Sequence, residues 1–298
     1  MHAYLFPGQG TQFQGMGKGL FEVSEIARDY FKRADDILGF SISDVMIEGS
    51  ADDLKQTKYA QPAIFLYSFI KTKLLGNKFK PDMVAGHSLG EISALAAVEA
   101  LDFKSALSLI SIRALAMQKA CDVEDTGMAV VVGLYDVIVK NVCEQIEGIV
   151  VPANYNTLHQ VVISGEMKAL NEACKELHPG AKRVVKLPVN GAFHSPYMQP
   201  IIEEFKLEIE KINFKQPICP VYQNIAGRPV TDVNQIRKNL IDQVTKPVMW
   251  RHTILHMIED GALEFSEIGP SNFLKGLVGQ IDRRVKVHGL HEKSEKVV

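Results

Sequence analysis

Apolar residues along this chain fall into two rhythms, short runs that suit buried strands and helical spacings that suit amphipathic or buried helices. Residues 3–6 form an apolar run that stops at Pro7-Gly8, the pattern of a strand. Phe21, Ile26, Tyr30, Phe31, Ala34, Ile37 and Leu38 recur at helical spacing and predict a helix over 20–38. A second helix is expected over 59–75, with Pro62 in its first turn. Met83-Val84-Ala85 then read as a short strand that runs into Gly86-His87-Ser88-Leu89-Gly90-Glu91 and an Ala-rich helix. Residues 102–120 predict a helix that is apolar nearly all round, and between Ser105 and Gln118 its only charge is Arg113.

The pattern changes over 127–187. Strand-like Met128–Val132, helical Tyr135–Glu147, strands Ile149–Ala153 and Gln160–Ser164, helical Met167–Leu177 and strand Arg183–Leu187 give a βαββαβ order. That is the ferredoxin-like arrangement. We therefore expect an α/β protein in which residues 126–188 form a small ferredoxin-like subdomain. It is inserted into a larger α/β-hydrolase-like subdomain with a parallel sheet core, made of residues 1–125 and 189–290. Its inner loop, Asn154 to His159, is polar and placed to face the larger part. An amphipathic helix is expected around Ile201–Ile212, a strand and turn within 217–230, a helix after Pro247-Val248-Met249-Trp250 and a strand over 262–268. A last helix starts at Phe273, and residues 291–298 mix Lys and Glu without periodicity, as a disordered tail does.

Composition narrows the function classes. The chain has 298 residues, 46% hydrophobic and 23% charged, as expected of a soluble globular protein with a sizeable core. A net charge of −2 and the lack of Arg/Lys-rich stretches with interleaved aromatics argue against nucleic-acid binding. No apolar run approaches ~18 residues, so no membrane span is expected. The N-terminus lacks the basic and apolar regions of a signal peptide. Four scattered cysteines fit a reducing compartment and argue against a disulfide framework or a thiolate metal site. These features together point to a cytoplasmic protein. His252 and His256 have helical metal-ligand spacing but no third ligand cluster, so no metal is expected. Glycines at 8, 10, 15 and 17 do not give the dinucleotide spacing. Lys71, Lys73, Lys78 and Lys80 form a basic cluster, either a solvated face or a dock for an acidic partner.

The candidate chemistry starts at Ser88. Gly-x-Ser-x-Gly between a strand and a helix is the context of a nucleophile elbow, where the Leu89 N–H is free to receive an oxyanion. Taken alone, Ser88 also suits an ordinary helix N-cap. Arg113 cannot lose its charge inside an apolar helix, so it needs a core carboxylate or an anionic ligand. His194, on a loop bracketed by Gly191 and Pro196, is the best-placed candidate base.

Several motifs then coincide in order: Pro7-Gly8-Gln9-Gly10, Gln61-Pro62-Ala63, Gly86-His87-Ser88-Leu89-Gly90-Glu91, Arg113 with Met117-Gln118, Asn154-x-Asn156, Gln160 to Gly165, His194 and Gly269-Pro270. The chain resembles the malonyl-CoA:acyl carrier protein transacylase family, and also the acyltransferase domains of polyketide synthases, up to about residue 290. The resemblance implies Ser88 as nucleophile and His194 as base, a dyad with no acidic third member. It implies an oxyanion hole from Gln9, by side chain or backbone, and the Leu89 N–H. It further implies that Arg113 clamps the malonyl carboxylate and that Gln61, Met117, Asn156 and Phe193 contact substrate. A backbone carbonyl at Val248 or Met249 would orient the histidine; relatives often have glutamine at position 249. Thr157-Leu158-His159 replaces the Ser-Pro-Gly of many relatives. A bulky Phe193 would disfavour an α-methyl branch.

The implied reaction is a ping-pong transfer from malonyl-CoA to holo acyl carrier protein through a malonyl-serine, supplying fatty acid biosynthesis, by a monomer that needs no cofactor. Three alternatives stand beside it. They are a polyketide-type acyltransferase using another acyl-CoA, a serine thioesterase or hydrolase, and a non-catalytic module that docks carrier protein.

Overall fold

The computed structural model describes residues 1–123, 125–189 and 191–291. Strand β1 (His2–Phe6) is followed by α1 (Lys18–Val23), α2 (Glu25–Leu38), α3 (Ile42–Ile47), α4 (Ala51–Lys55) and α5 (Thr57–Leu75). Then come β2 (Met83–Gly86), α6 (Gly90–Ala97) and α7 (Phe103–Val123). The middle of the chain gives β3 (Thr126–Val132), α8 (Asp136–Gln145), β4 (Val150–Thr157), β5 (Gln160–Glu166), α9 (Met167–Leu177) and β6 (Arg183–Lys186). The remainder is α10 (Ile202–Lys211), β7 (Val221–Gln223), β8 (Arg228–Val230), α11 (Val233–Gln243), α12 (Trp250–Glu259), β9 (Glu264–Glu267), α13 (Phe273–Ile281) and β10 (Lys286–Gly289). No helix among the described residues is long and apolar enough to cross a membrane.

Two sheets organise these elements. The larger has the order β10-β9-β1-β2-β7-β8, with every neighbouring pair parallel except the antiparallel β7–β8 edge. Its strands are short and wholly apolar at the centre, as a sheet covered on both faces requires. The smaller sheet has the order β4-β5-β3-β6 and its pairs are antiparallel. Taken in chain order its strands lie 2-3-1-4, the ferredoxin-like topology expected from the βαββαβ pattern. The fold class is therefore the one the sequence implied: an α/β chain with a parallel-rich sheet and a separate antiparallel one. All strands of the smaller sheet come from 126–186.

The sheets are joined directly. Val248 N donates to Ala153 O (2.8 Å) and Tyr155 N donates to Val248 O (2.9 Å), so the segment before α12 pairs with the outer edge of β4. This pairing corrects the expected polar loop over 154–159. β4 continues through Thr157, and the hairpin turn is only Leu158-His159. Asparagine is a poor strand former, but Asn154 is held between Val162 and Val248, and Asn156, at a break in the register, is held by its side chain on His87.

Local chemistry explains the other departures. Ser24 accepts from Ala27 N and starts a new helix, dividing the helix expected over 20–38 into α1 and α2. α5 begins at Thr57, so Pro62 lies inside the helix rather than in its first turn. α11 went unanticipated, although Asp232 caps it by accepting from Gln235 N. Of the tail expected at 291–298, residues 292–298 lie outside the described residues.

Position along α5 sets the basic cluster apart from the serine. Its 19 residues span roughly 28 Å at ~1.5 Å per residue, and Lys73 lies at the end away from Thr57 and Gln61. Lys71 is buried. Lys78 and Lys80 precede β2, at the edge of the sheet opposite Ser88.

Two glycines make the strand-to-helix turn possible. A Cβ at Gly86 would stand 1.9 Å from the Gly90 backbone, and one at Gly90 would stand 2.1 Å from Phe6 O. Gly90→Ala is therefore expected to destabilise the protein by about 1–3 kcal/mol or more, because backbone cannot move aside as a side-chain tip can. Urea denaturation would measure it, and an unchanged midpoint would mean that the turn is looser than described.

Candidate active site

Parallel strands deliver their following loops to one edge of a sheet, and ligand sites of open α/β sheets form there. Gln9 follows β1, Ser88 follows β2 and Asn224 follows β7 at that edge. The start of α5 adds Gln61, α7 adds Arg113 and Met117, and the segment after β6 adds Phe193 and His194. Gln9, Gln61, Ser88, Met117, Phe193 and His194 border a cleft of about 500 Å³ that Met128, Val130 and Val162 of the small sheet close from the other side, with Arg113 and Asn224 set behind its wall. Gln9, Gln61, Met117, Asn156 and Phe193 all line it beside Ser88 and His194.

Ser88 has φ 54°, a left-handed conformation that is uncommon for a residue with a side chain. His194 Nε2 lies 2.8 Å from Ser88 Oγ, and His194 Nδ1 lies 2.8 Å from Gln243 O. A carbonyl only accepts, so Nδ1 carries the proton and Nε2 accepts from the Ser88 hydroxyl. Burial, followed by the nearby Arg113 charge, pushes the imidazole down to about 3 from 6.5. The ring is thus a neutral base already aimed at the serine proton.

The orienting carbonyl corrects an expectation. It belongs to Gln243, not to Val248 or Met249. Val248 O accepts from Tyr155 N, and Met249 O accepts from Thr253 N inside α12. Gln243 closes α11, the helix whose Asp232-x-x-Gln235 start is the sequence signal that would have found it.

Arg113 is 1% exposed and makes no ion pair within 4.0 Å among the described residues. Its guanidinium donates to Gln61 Oε1 (2.7 Å), Ser88 Oγ (3.0 Å) and Gln243 Oε1 (3.2 Å), all neutral acceptors. Burial holds its pKa down to about 10, against the raising influence of Glu91. The core-carboxylate alternative is therefore not realised as a direct contact. The charge stays available to an anion that reaches the serine.

Gln9 is engaged through its side chain. Nε2 donates to Thr57 Oγ1 (3.1 Å), and Oε1 accepts from Gln61 Nε2 (3.3 Å). Leu89 stands at the N-cap of α6. His87, the residue before the serine, bonds through Nε2 to Asn156 Oδ1 (2.9 Å) and packs on Trp250 and Phe273. Burial pushes its pKa down to about 4, partly countered by Asn156. Asn224, Glu91, Gln223 and Gln243 also crowd the serine, and their roles are not visible in the sequence.

Comparison with known proteins agrees with this geometry. The family model of the acyl transferase domain matches residues 3–286. The chain belongs to the acyltransferase family. It is 39% identical over 291 residues to the malonyl CoA-acyl carrier protein transacylase of Bacillus subtilis, covering 95% of this chain and 91% of the relative. The malonyl CoA-acyl carrier protein transacylase structure from Coxiella burnetii superposes with a TM-score of 0.94 at 34% identity, covering 97% and 93% of the two chains. A malonyl-transacylase in complex with a type II polyketide synthase acyl-carrier protein does so with a TM-score of 0.94 at 32% identity, covering 97% and 96%.

The acyltransferase site makes a direct prediction about proton placement. Because burial lowers the His194 pKa, its neutral Nδ1-protonated form should persist as pH falls through 6.5 and well below. Nitrogen NMR of labelled histidine would show this as an unchanged His194 signal in mild acid. Protonation near the ordinary value would mean that water reaches the ring.

Proposed function

We propose that this acyltransferase moves a malonyl group from malonyl-CoA to the phosphopantetheine thiol of acyl carrier protein through a malonyl-Ser88 intermediate. The observation that carries the proposal is the convergence on one oxygen: Ser88 Oγ lies 2.8 Å from the neutral base His194 and 3.0 Å from the Arg113 guanidinium. A base activates the hydroxyl, and a buried cation waits for the carboxylate that only a dicarboxylic acyl group brings. The names of the similar proteins point to the same donor and acceptor.

In the first half-reaction His194 Nε2 takes the Ser88 proton while Oγ attacks the thioester carbonyl carbon. The oxyanion is received by the Leu89 N–H at the start of α6 and by the backbone N–H of Gln9, whose side chain is held by Thr57 and Gln61. The carbon–sulfur bond breaks, and CoA leaves with the proton from His194. In the second half the carrier's thiol gives its proton to His194 and attacks the ester, and Ser88 recovers its proton.

Arg113 exchanges its neutral acceptors for the malonyl carboxylate, which fits a planar two-pronged donor. Met117 and Phe193 bound the acyl group, with Gln61 beside Arg113 and Asn156 on the opposite wall. The reaction as written uses only protein groups, with CoA a substrate. All its groups come from one chain, consistent with a monomer, and the four free cysteines fit a cytoplasmic setting. A fatty-acid carrier is the first acceptor we propose. Similarity to the transacylase captured with a polyketide carrier favours a polyketide carrier as a second one.

Intact-protein mass spectrometry after brief exposure to malonyl-CoA should show one malonyl adduct on wild type and none on Ser88→Ala. Holo carrier protein should discharge it, whereas discharge by water at the same rate would make the protein a hydrolase. Arg113→Ala should lose roughly 10- to 100-fold in kcat/KM for malonyl-CoA, the worth of a charged hydrogen-bonded pair. Undiminished malonyl transfer by that variant would overturn the carboxylate clamp.

A further inference from the structure

Sheet pairing beside the serine ends before the turn does. β2 and β7 pair at Val84↔Val221 and Ala85↔Tyr222, and no further rung follows. One side chain continues the ladder. Asn224 Nδ2 donates to Gly86 O (2.6 Å), and Asn224 Oδ1 accepts from Ser88 N (2.7 Å). A single amide thus grips the elbow on both sides of His87. It leaves the Ser88 N–H turned away from the cleft, toward β7.

Asn224 is itself fixed at each remaining polar atom. Its N–H donates to Glu91 Oε2 (2.6 Å), and its carbonyl accepts from Met249 N (2.8 Å). The other Glu91 oxygen accepts from Gln223 Nε2 (2.9 Å), and Gln223 Oε1 accepts from Asn239 Nδ2 (2.7 Å). Glu91 and Asn224 are both fully buried. From α11, Gln243 Nε2 also reaches Ser88 O (3.2 Å). The peptide groups around Ser88 are therefore held from β7, α6 and α11, and solvent supplies none of these bonds.

A left-handed non-glycine residue persists only where its surroundings over-determine it. Here the over-determination has an address. We propose that Asn224, fixed in turn by the Glu91 carboxylate, is a positioning residue that holds Ser88 left-handed and so aims its hydroxyl at His194. This rests on Ser88 being the nucleophile. Asn224 lies behind the elbow and touches neither the hydroxyl nor any group that we assign to the substrate. Its effect should appear in the reactivity of the serine and not in the affinity for malonyl-CoA.

The test uses an uncharged fluorophosphonate that labels reactive serines and offers no carboxylate to Arg113, alongside malonyl transfer. Asn224→Ala should slow labelling and malonyl-enzyme formation by the same factor, on the order of 10²-fold for a nucleophile displaced by about 1 Å. KM for malonyl-CoA should stay close to wild type. Arg113→Ala gives the contrasting pattern, losing malonyl transfer by a larger factor than it loses labelling, because only the acyl donor carries a carboxylate.

Asn224→Asp separates positioning from mere folding. An ionised carboxylate would repel Gly86 O, whereas its protonated form can donate to Gly86 O and accept from Ser88 N as the amide does. Its labelling rate relative to wild type should therefore recover as pH falls from mildly alkaline to mildly acidic. Wild-type labelling rates in Asn224→Ala would overturn the proposal. So would slow labelling of Asn224→Asp that ignores pH while its thermal midpoint drops. Label that still attaches to Ser88→Ala would instead overturn the assignment of the nucleophile.

Discussion

A guanidinium that cannot shed its charge lies in the middle of this protein, 1% exposed on α7, and much of the polar interior is arranged around it. Burying an unpaired cation is prohibitive, yet a direct carboxylate partner would occupy the prongs that a substrate needs. The structure resolves this conflict with side-chain amides and a hydroxyl. Gln61 from α5, Gln243 from α11 and Ser88 accept three of its N–H bonds without matching the charge. Glu91, buried in α6 with its pKa pushed up to about 7 by burial, stands off and interacts with Arg113 through space. Neutral acceptors can be displaced by a carboxylate far more readily than an ion-paired one could. On the proposed function, specificity for an acidic acyl group rests on how the cation is solvated.

The same dryness defines the dyad. His194 needs no acid behind it, because the Gln243 carbonyl fixes its tautomer and burial keeps the ring neutral. An aspartate at that place would raise the basicity of the ring, but it would add a second buried charge beside Arg113. His87 is held neutral by the same means, with Asn156 on its Nε2 and aromatic rings around it. Two neutral imidazoles therefore lie beside one buried cation, and under the proposed function the acyl group brings the matching negative charge.

Gln243 shows how the layers depend on one another. Its backbone carbonyl holds His194, its side-chain oxygen meets Arg113, and its side-chain nitrogen meets Ser88 O. The segment just beyond it pairs with β4 through Val248, so the small sheet is tied to the stretch of chain that orients the base. The small sheet then gives the cleft its far wall, with Met128, Val130 and Val162 supplying apolar surface and Asn156 reaching back to the elbow.

Much of this was legible in the sequence, where the physics is local. Gly86 and Gly90 mark a turn with no room for Cβ atoms, and backbone lies 1.9 and 2.1 Å from where those atoms would sit. The βαββαβ order fixed the topology of the small sheet, because hydrophobic period and element order leave few ways to close it. Arg113 announced itself by being the lone charge in an apolar helix. Tertiary structure decided the rest. The carbonyl on His194 comes from Gln243 and not from Val248 or Met249, since a backbone carbonyl looks the same in every residue and only the path of the chain selects one. Asn224 carries no signal for the same reason, and Glu91 none beyond its place after Gly90 in the elbow motif. Their side chains are ordinary, and their significance lies in partners that the fold brings from more than 130 positions away.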